Sequence, residues 1–105
     1  MKKSVAIVGA TGYTGAELIK ILLNHPFFDI KTIFSSNGGE KIEEIYPAFK
    51  DVFEMDIQKA EISEIAKHDL VFLAVPHKTA MIFVKELMNY DCKIVDFSAD
   101  YRLNL

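Results

Sequence analysis

Three glycines, Gly9, Gly12 and Gly15, follow directly on the apolar run Val5-Ala6-Ile7-Val8. Glycine lets a backbone turn sharply and approach a bound group closely. A turn of this kind between a strand and a helix aims backbone N–H groups and the positive end of a helix dipole at one point. That is chemistry for a phosphate or pyrophosphate. In dinucleotide-binding folds the first glycine makes the turn, the second admits the phosphates and the third packs the helix against the strand. The spacing here is G-x-x-G-x-x-G rather than G-x-G-x-x-G, so its meaning rests on its flanks. Both flanks fit, with a strand-like run before and an amphipathic stretch after. The competing reading is a tight strand-to-helix turn with no ligand.

A second chemical position lies near Phe34-Ser35-Ser36-Asn37. Folds that bind NAD place Asp or Glu about 20 residues beyond the glycine loop, where it accepts from the ribose hydroxyls. No acid occurs here until Glu40. Ser35, Ser36 and nearby backbone amides would tolerate a 2′-phosphate that a carboxylate would repel, so the expected cofactor is NADP. Lys41 is either a further charge-assisted contact or an ordinary solvated loop lysine. The absent acid also counts against an S-adenosylmethionine site.

Other reactive residues carry less. His77 follows Pro76 at the carboxyl end of an apolar run, where ligands of open α/β sheets gather. It either lines a nicotinamide pocket or simply opens the next helix. Tyr46 and Lys50 match a Tyr-x-x-x-Lys catalytic pair by spacing, but Pro47 stands between them and the match is read as chance. Cys92 has no histidine within ten residues, and lone cysteines are more often packing residues than nucleophiles. No metal site is expected.

These positions need a scaffold, and the hydrophobic periodicity describes one. Ser4 to Val8, Ile30 to Phe34, Leu70 to Val75 and Lys93 to Phe97 read as strands, the first being a short β-branched run of the kind buried on both faces. A short strand near Phe53 to Ile57 lies within a poorly legible stretch, residues 40–59. After the glycine loop, Leu18, Ile19, Leu22 and Leu23 fall on one helical face until His25-Pro26 stops the helix. Ile62, Ile65 and Ala66 suggest a brief helix, and Ala80, Val84, Leu87 and Met88 a longer one. Strands alternating with crossover helices imply a parallel sheet. The expected fold is α/β, a Rossmann-type doubly wound sheet of about five strands with helices on both faces. A sixth strand, if there is one, belongs to sequence beyond Leu105.

Composition sets the outer limits. The 105 residues suit one domain, half hydrophobic and a quarter charged. A net charge of −3 argues against a nucleic-acid surface. One cysteine excludes an internal disulfide. The charged start Met1-Lys2-Lys3 precedes an apolar run too short for a leader or a membrane span. The expected setting is soluble and cytoplasmic, with no membrane or nucleic-acid partner.

Four stretches together carry a resemblance. They are Val8-Gly9-Ala10-Thr11-Gly12-Tyr13-Thr14-Gly15-Ala16-Glu17-Leu18, His25-Pro26, Phe72-Leu73-Ala74-Val75-Pro76-His77, and Val95-Asp96-Phe97-Ser98-Ala99-Asp100-Tyr101-Arg102-Leu103. The chain resembles, end to end, the amino-terminal cofactor domain of the N-acetyl-gamma-glutamyl-phosphate reductases, relatives of aspartate-semialdehyde dehydrogenase. The resemblance implies an enzyme of arginine biosynthesis in which a cysteine thiolate attacks an acyl phosphate. The resulting thioester is then reduced by NADPH to the semialdehyde. It places the nucleophile and its histidine in a second domain, so no catalytic residue is expected here and the chain alone should be inactive. It implies a phosphate loop at Gly9, Thr11, Gly12, Tyr13, Thr14 and Gly15, ribose contacts at Ser35 and Ser36, and a pocket wall at Pro76 and His77. By analogy Arg102 grips the acyl phosphate, or else forms a surface salt bridge. The complete protein is expected to be a homo-oligomer. Two alternatives stand beside this reading: a related reductase of aminoadipyl or aspartyl phosphate, and an NADP-binding module without chemistry.

Overall fold

The computed structural model describes residues 3–9 and 13–96. Strand β1 (Lys3–Val8) leads into α1 (Tyr13–Leu23), then β2 (Phe28–Ser35), the short α2 (Ile42–Ile45) and a 3-10 turn at Pro47–Phe49. Strand β3 (Ile57–Lys59), α3 (Ile62–Ile65), β4 (Leu70–Leu73), α4 (His77–Leu87) and β5 (Lys93–Asp96) follow. The five strands pair in parallel throughout, in the order β3-β2-β1-β4-β5. This is the first five-strand portion of the 3-2-1-4-5-6 order of dinucleotide-binding sheets. Strand β1 lies at the centre because it is apolar on both faces.

Alternation along the strands sorts the core into two layers. Val5 and Ile7 of β1, with Ile33 and Phe72, pack against Ala16, Leu18, Ile19 and Leu22 of α1 and against Ile42 and Phe49. Ala6 and Val8, with Phe34, Val71 and Leu73, pack against Ile65 of α3 and against Ala80 and Leu87 of α4. Each such large aliphatic side chain contributes about 1.5–3 kcal/mol by leaving water, and two helical layers are needed to cover both faces of the sheet.

Over the paired stretch, residues 28–34 of β2 lie against residues 3–8 of β1, one residue more than their partners. Val5 pairs with Ile30 but Ala6 pairs with Thr32, so Lys31 is taken up as a bulge. This is why Ile30 and Ile33, three apart, share a face.

Three expectations are corrected. The third strand begins at Ile57, where the sequence pattern has it end. Its neighbours Phe53 and Met55 instead pack as partly buried loop residues against the α1 layer. Strand β4 stops at Leu73, two residues short, because Ala74 and Val75 already belong to the turn into α4. Leu23 and Met88 are 41% and 73% exposed, since they fall at the carboxyl ends of their helices where no layer covers them. Among the described residues no helix is long and apolar enough to cross a membrane.

Candidate functional site

The strand order changes direction at β1. The chain moves outward through β2 and β3, then crosses back to place β4 on β1's other side. Ligands of open α/β sheets bind beyond the carboxyl ends of the strands at such a switch point. A cleft of about 230 Å³ lies there, walled by Gly9, Ser35, Ser36, Val75, Pro76 and Thr79. Backbone hydrogen bonds draw its rim together: Gly9 N–H donates to the Phe34 carbonyl and Ala74 N–H to the Val8 carbonyl, both at 2.8 Å.

Gly9 can only be glycine at this place. Its φ is +95°, and a Cβ there would stand 2.3 Å from the Ala74 carbonyl oxygen. The turn thus runs directly over the β4 end, and α1 starts four residues on. Its first turn, beginning Tyr13-Thr14-Gly15, carries no acid, so no side chain of that turn opposes the positive end of the helix dipole. Thr14 is exposed and Gly15 buried. Thr11, Gly12, Arg102 and the Tyr13 side chain lie outside the described residues.

Ser35 is the one buried polar side chain among the described residues, 6% exposed. Its Oγ accepts from Gly38 N–H at 2.9 Å and donates to Glu40 Oε1 at 3.1 Å. The loop that brings Glu40 back is pinned to β3. Gly39 N–H donates to the Ile57 carbonyl at 2.8 Å, and Ile57 N–H donates to the Glu40 carbonyl at 2.7 Å. Gly38, at φ +73°, passes so close that a Cβ would lie 2.4 Å from Lys59 N. The end of β2 therefore has a carboxylate after all, supplied from five residues downstream. The signal available in sequence was the pair Gly38-Gly39, which allows a turn tight enough to fold Glu40 back. Lys41 points its ammonium at Asp56, 2.8 Å away, and that hydrogen bond and charge hold its pKa above the usual lysine value.

The remaining expected residues separate. Pro76 walls the cleft, whereas His77 is the exposed first residue of α4, and Thr79 two positions on lines the cleft instead. Thr79 was not singled out from sequence; its place in the first turn of the helix after β4 was the available cue. Tyr46 and Lys50 share no helix, and Tyr46 stacks edge-on against Phe49. Cys92 sits with Lys3, Asp69 and Asp91 at the amino ends of the strands, opposite the cleft. Burial, and secondarily the Asp91 charge, push its thiol pKa up.

A larger groove, about 620 Å³, flanks β2 and β3. Several of its polar groups are paired with one another or with main chain: His68 Nδ1 with the Ile65 carbonyl, His68 Nε2 with Thr32 Oγ1, and Lys67 with Glu64. It lies on a face of the sheet rather than at the strand ends, so the switch-point cleft is the better candidate despite its smaller volume.

Comparison with known proteins agrees with this fold. The family model described as semialdehyde dehydrogenase, NAD binding domain, matches residues 4–105. The N-acetyl-gamma-glutamyl-phosphate reductase of Sulfurimonas denitrificans is 50% identical over 101 residues, covering 95% of this chain and 30% of that protein. The Campylobacter hominis protein of the same name is 48% identical over 105 residues, covering 98% and 31%. Among solved structures, aspartate semialdehyde dehydrogenase with NADP from Candida albicans superposes with a TM-score of 0.73 at 22% identity, over 96% of this chain and 31% of that one. The chain spans just under a third of the length of the curated relatives it matches.

Proposed function

The chain belongs to the semialdehyde dehydrogenase family, to its NAD-binding domain, and from that premise we propose that it is the cofactor half of an NADP-dependent acyl-phosphate reductase. The whole protein would reduce N-acetyl-gamma-glutamyl phosphate to the semialdehyde, releasing phosphate, as a cytoplasmic homo-oligomer serving arginine biosynthesis. The observation that carries the reading is the cleft at the β1–β4 switch point, where Gly9, Ser35, Ser36 and Pro76 meet.

The residues fit a dinucleotide. The pyrophosphate would lie on the turn from Gly9 through Thr11, Gly12, Tyr13, Thr14 and Gly15, at the amino end of α1. The adenosine ribose would face Ser35 and Ser36. Pro76, with Thr79 beyond it, would form the wall on the nicotinamide side, while His77 opens α4 beside it. The bound cofactor supplies a hydride; this chain's residues hold and orient it. Arg102 is assigned to the acyl phosphate, as a planar donor fork for its oxygens. No catalytic residue is assigned here, and Cys92 faces away from the cleft.

NADP rather than NAD is favoured because hydroxyls, Ser35 and Ser36, end the strand where NAD sites carry an acid. The Ser36 hydroxyl, unlike that of Ser35, makes no hydrogen bond to Glu40 and would make a charge-assisted bond to a phosphate. Such a bond contributes roughly 1.5–3 kcal/mol, or at least about tenfold in affinity. Calorimetric titration with NADPH and NADH tests this. Tighter NADPH binding by about that factor is expected; equal affinities or an NADH preference would remove NADP, and binding of neither would remove the whole reading.

A further inference from the structure

We propose that Glu40 is a specificity-determining residue that limits this domain's discrimination in favour of a 2′-phosphate, by occupying the single hydroxyl proton of Ser35. The inference rests on the reading that the ribose of a nicotinamide dinucleotide lies at Ser35.

A serine hydroxyl has one proton to give. Here the Ser35 Oγ accepts from Gly38 N–H and gives its proton to Glu40 Oε1 at 3.1 Å. An ionised 2′-phosphate and an ionised carboxylate both accept and neither donates. Only one of them can have the proton, and the other is left beside a like charge. A ribose 2′-hydroxyl is different, because it can donate to Glu40 while Ser35 stays as it is. Glu40 therefore does from the loop what an acid at the strand end does in NAD sites, and it works against the preference that Ser35 and Ser36 create.

Two features keep the carboxylate in play. The Glu40 main chain is fixed through its carbonyl to Ile57 N–H, and the preceding turn passes so close to β3 that a Cβ at Gly38 would lie 2.4 Å from Lys59 N. The neighbouring cation Lys41 is paired with Asp56, and among the described residues Glu40 has no ion-pair partner. A phosphate must turn the Glu40 side chain aside to reach Ser35, and the charge it displaces is not neutralised by a neighbour.

The test compares 2′,5′-ADP with 5′-AMP, and NADPH with NADH, by calorimetry on the parent chain and on Glu40→Gln, Glu40→Ala and Glu40→Asp. Ratios within one protein do not depend on the fraction folded. Glu40→Gln and Glu40→Ala are expected to raise the 2′,5′-ADP to 5′-AMP affinity ratio about tenfold, with NADPH over NADH moving the same way and Glu40→Asp moving both least. Unchanged ratios in variants that still bind NADPH, or ratios shifted toward 5′-AMP and NADH, overturn the role of Glu40 alone. A parent chain that binds neither dinucleotide overturns the functional reading, and this role with it.

Discussion

Replacing Gly9 with alanine should cost this domain about 2–4 kcal/mol and most of its cofactor affinity. Two contributions can be worked from the geometry. The backbone at Gly9 has φ +95°, beyond the small left-handed region open to other residues, and holding a side chain there costs on the order of 1–3 kcal/mol. The new Cβ would also meet main chain, at 2.3 Å from the Ala74 oxygen and 2.8 Å from its carbon. Those atoms cannot rotate away, so the turn must lift by about 1 Å to restore ordinary contact. Lifting it strains the bonds from Gly9 N–H to Phe34 and from Ala74 N–H to Val8, each contributing roughly 1 kcal/mol. Gly39→Ala is the matched control: its φ is +91° but nothing lies within 4 Å of its would-be Cβ, so it carries backbone strain without the clash. Urea unfolding of both variants, with cofactor titration, gives the comparison. For a domain of this size the Gly9 variant should melt roughly 10–20 °C lower. A Gly9→Ala protein no less stable than Gly39→Ala would refute the close-approach reasoning, and one that binds cofactor normally would show that the turn does not shape the site.

Three further outcomes can be measured, the first two at the far end of the sheet. Ser4 donates to Asp69 Oδ2 through both N–H, at 3.0 Å, and Oγ, at 3.2 Å, and these bonds hold the Asp69 carboxyl below the usual carboxylate pKa. The depressed value makes its contribution to stability complete above the ordinary carboxylate range and lost as pH falls through the folded-state pKa. Ser4→Ala should move the Asp69 titration upward by NMR, and an unmoved midpoint would show that the hydroxyl bond contributes nothing. Cys92, with its thiol pKa raised, should react slowly with iodoacetamide at neutral pH, and this chain should bind cofactor yet show no phosphate-dependent oxidation of the semialdehyde. Turnover that disappears in Cys92→Ser would make the thiol a nucleophile after all.

The parts of the molecule that announced themselves in sequence are those whose structure follows from local period. Val5 to Val8 is uniformly apolar because both faces of β1 are covered, and α1 and α4 show a one-sided stripe because only one face of each is. Residues 40–59 show no such period because tertiary contacts hold them. Ile42 and Phe49 enter the core singly, and Met55 N–H reaches across to Glu43 Oε1 at 3.2 Å. The site divides in the same way. Gly9, Ser35, Ser36 and Pro76 could be placed because a strand's end puts them at the switch point. Glu40 could not, because it reaches Ser35 only through a turn whose shape depends on Gly38 passing against β3.

The bulge at Lys31 has a consequence for how this chain can vary in length. One additional residue is absorbed midway along β2, and Thr32 to Phe34 still stand opposite Ala6 to Val8. Lys31 itself is exposed and pairs only with Asp29 among the ion pairs of the described residues. Removing it would leave a strand of strict alternation whose last residues keep their partners and their faces, with Ser35 still arriving beside Gly9. A deletion at this point would thereby be decoupled from the cleft. The strand can lose that residue before its midpoint while the ligand end of the sheet keeps its phase.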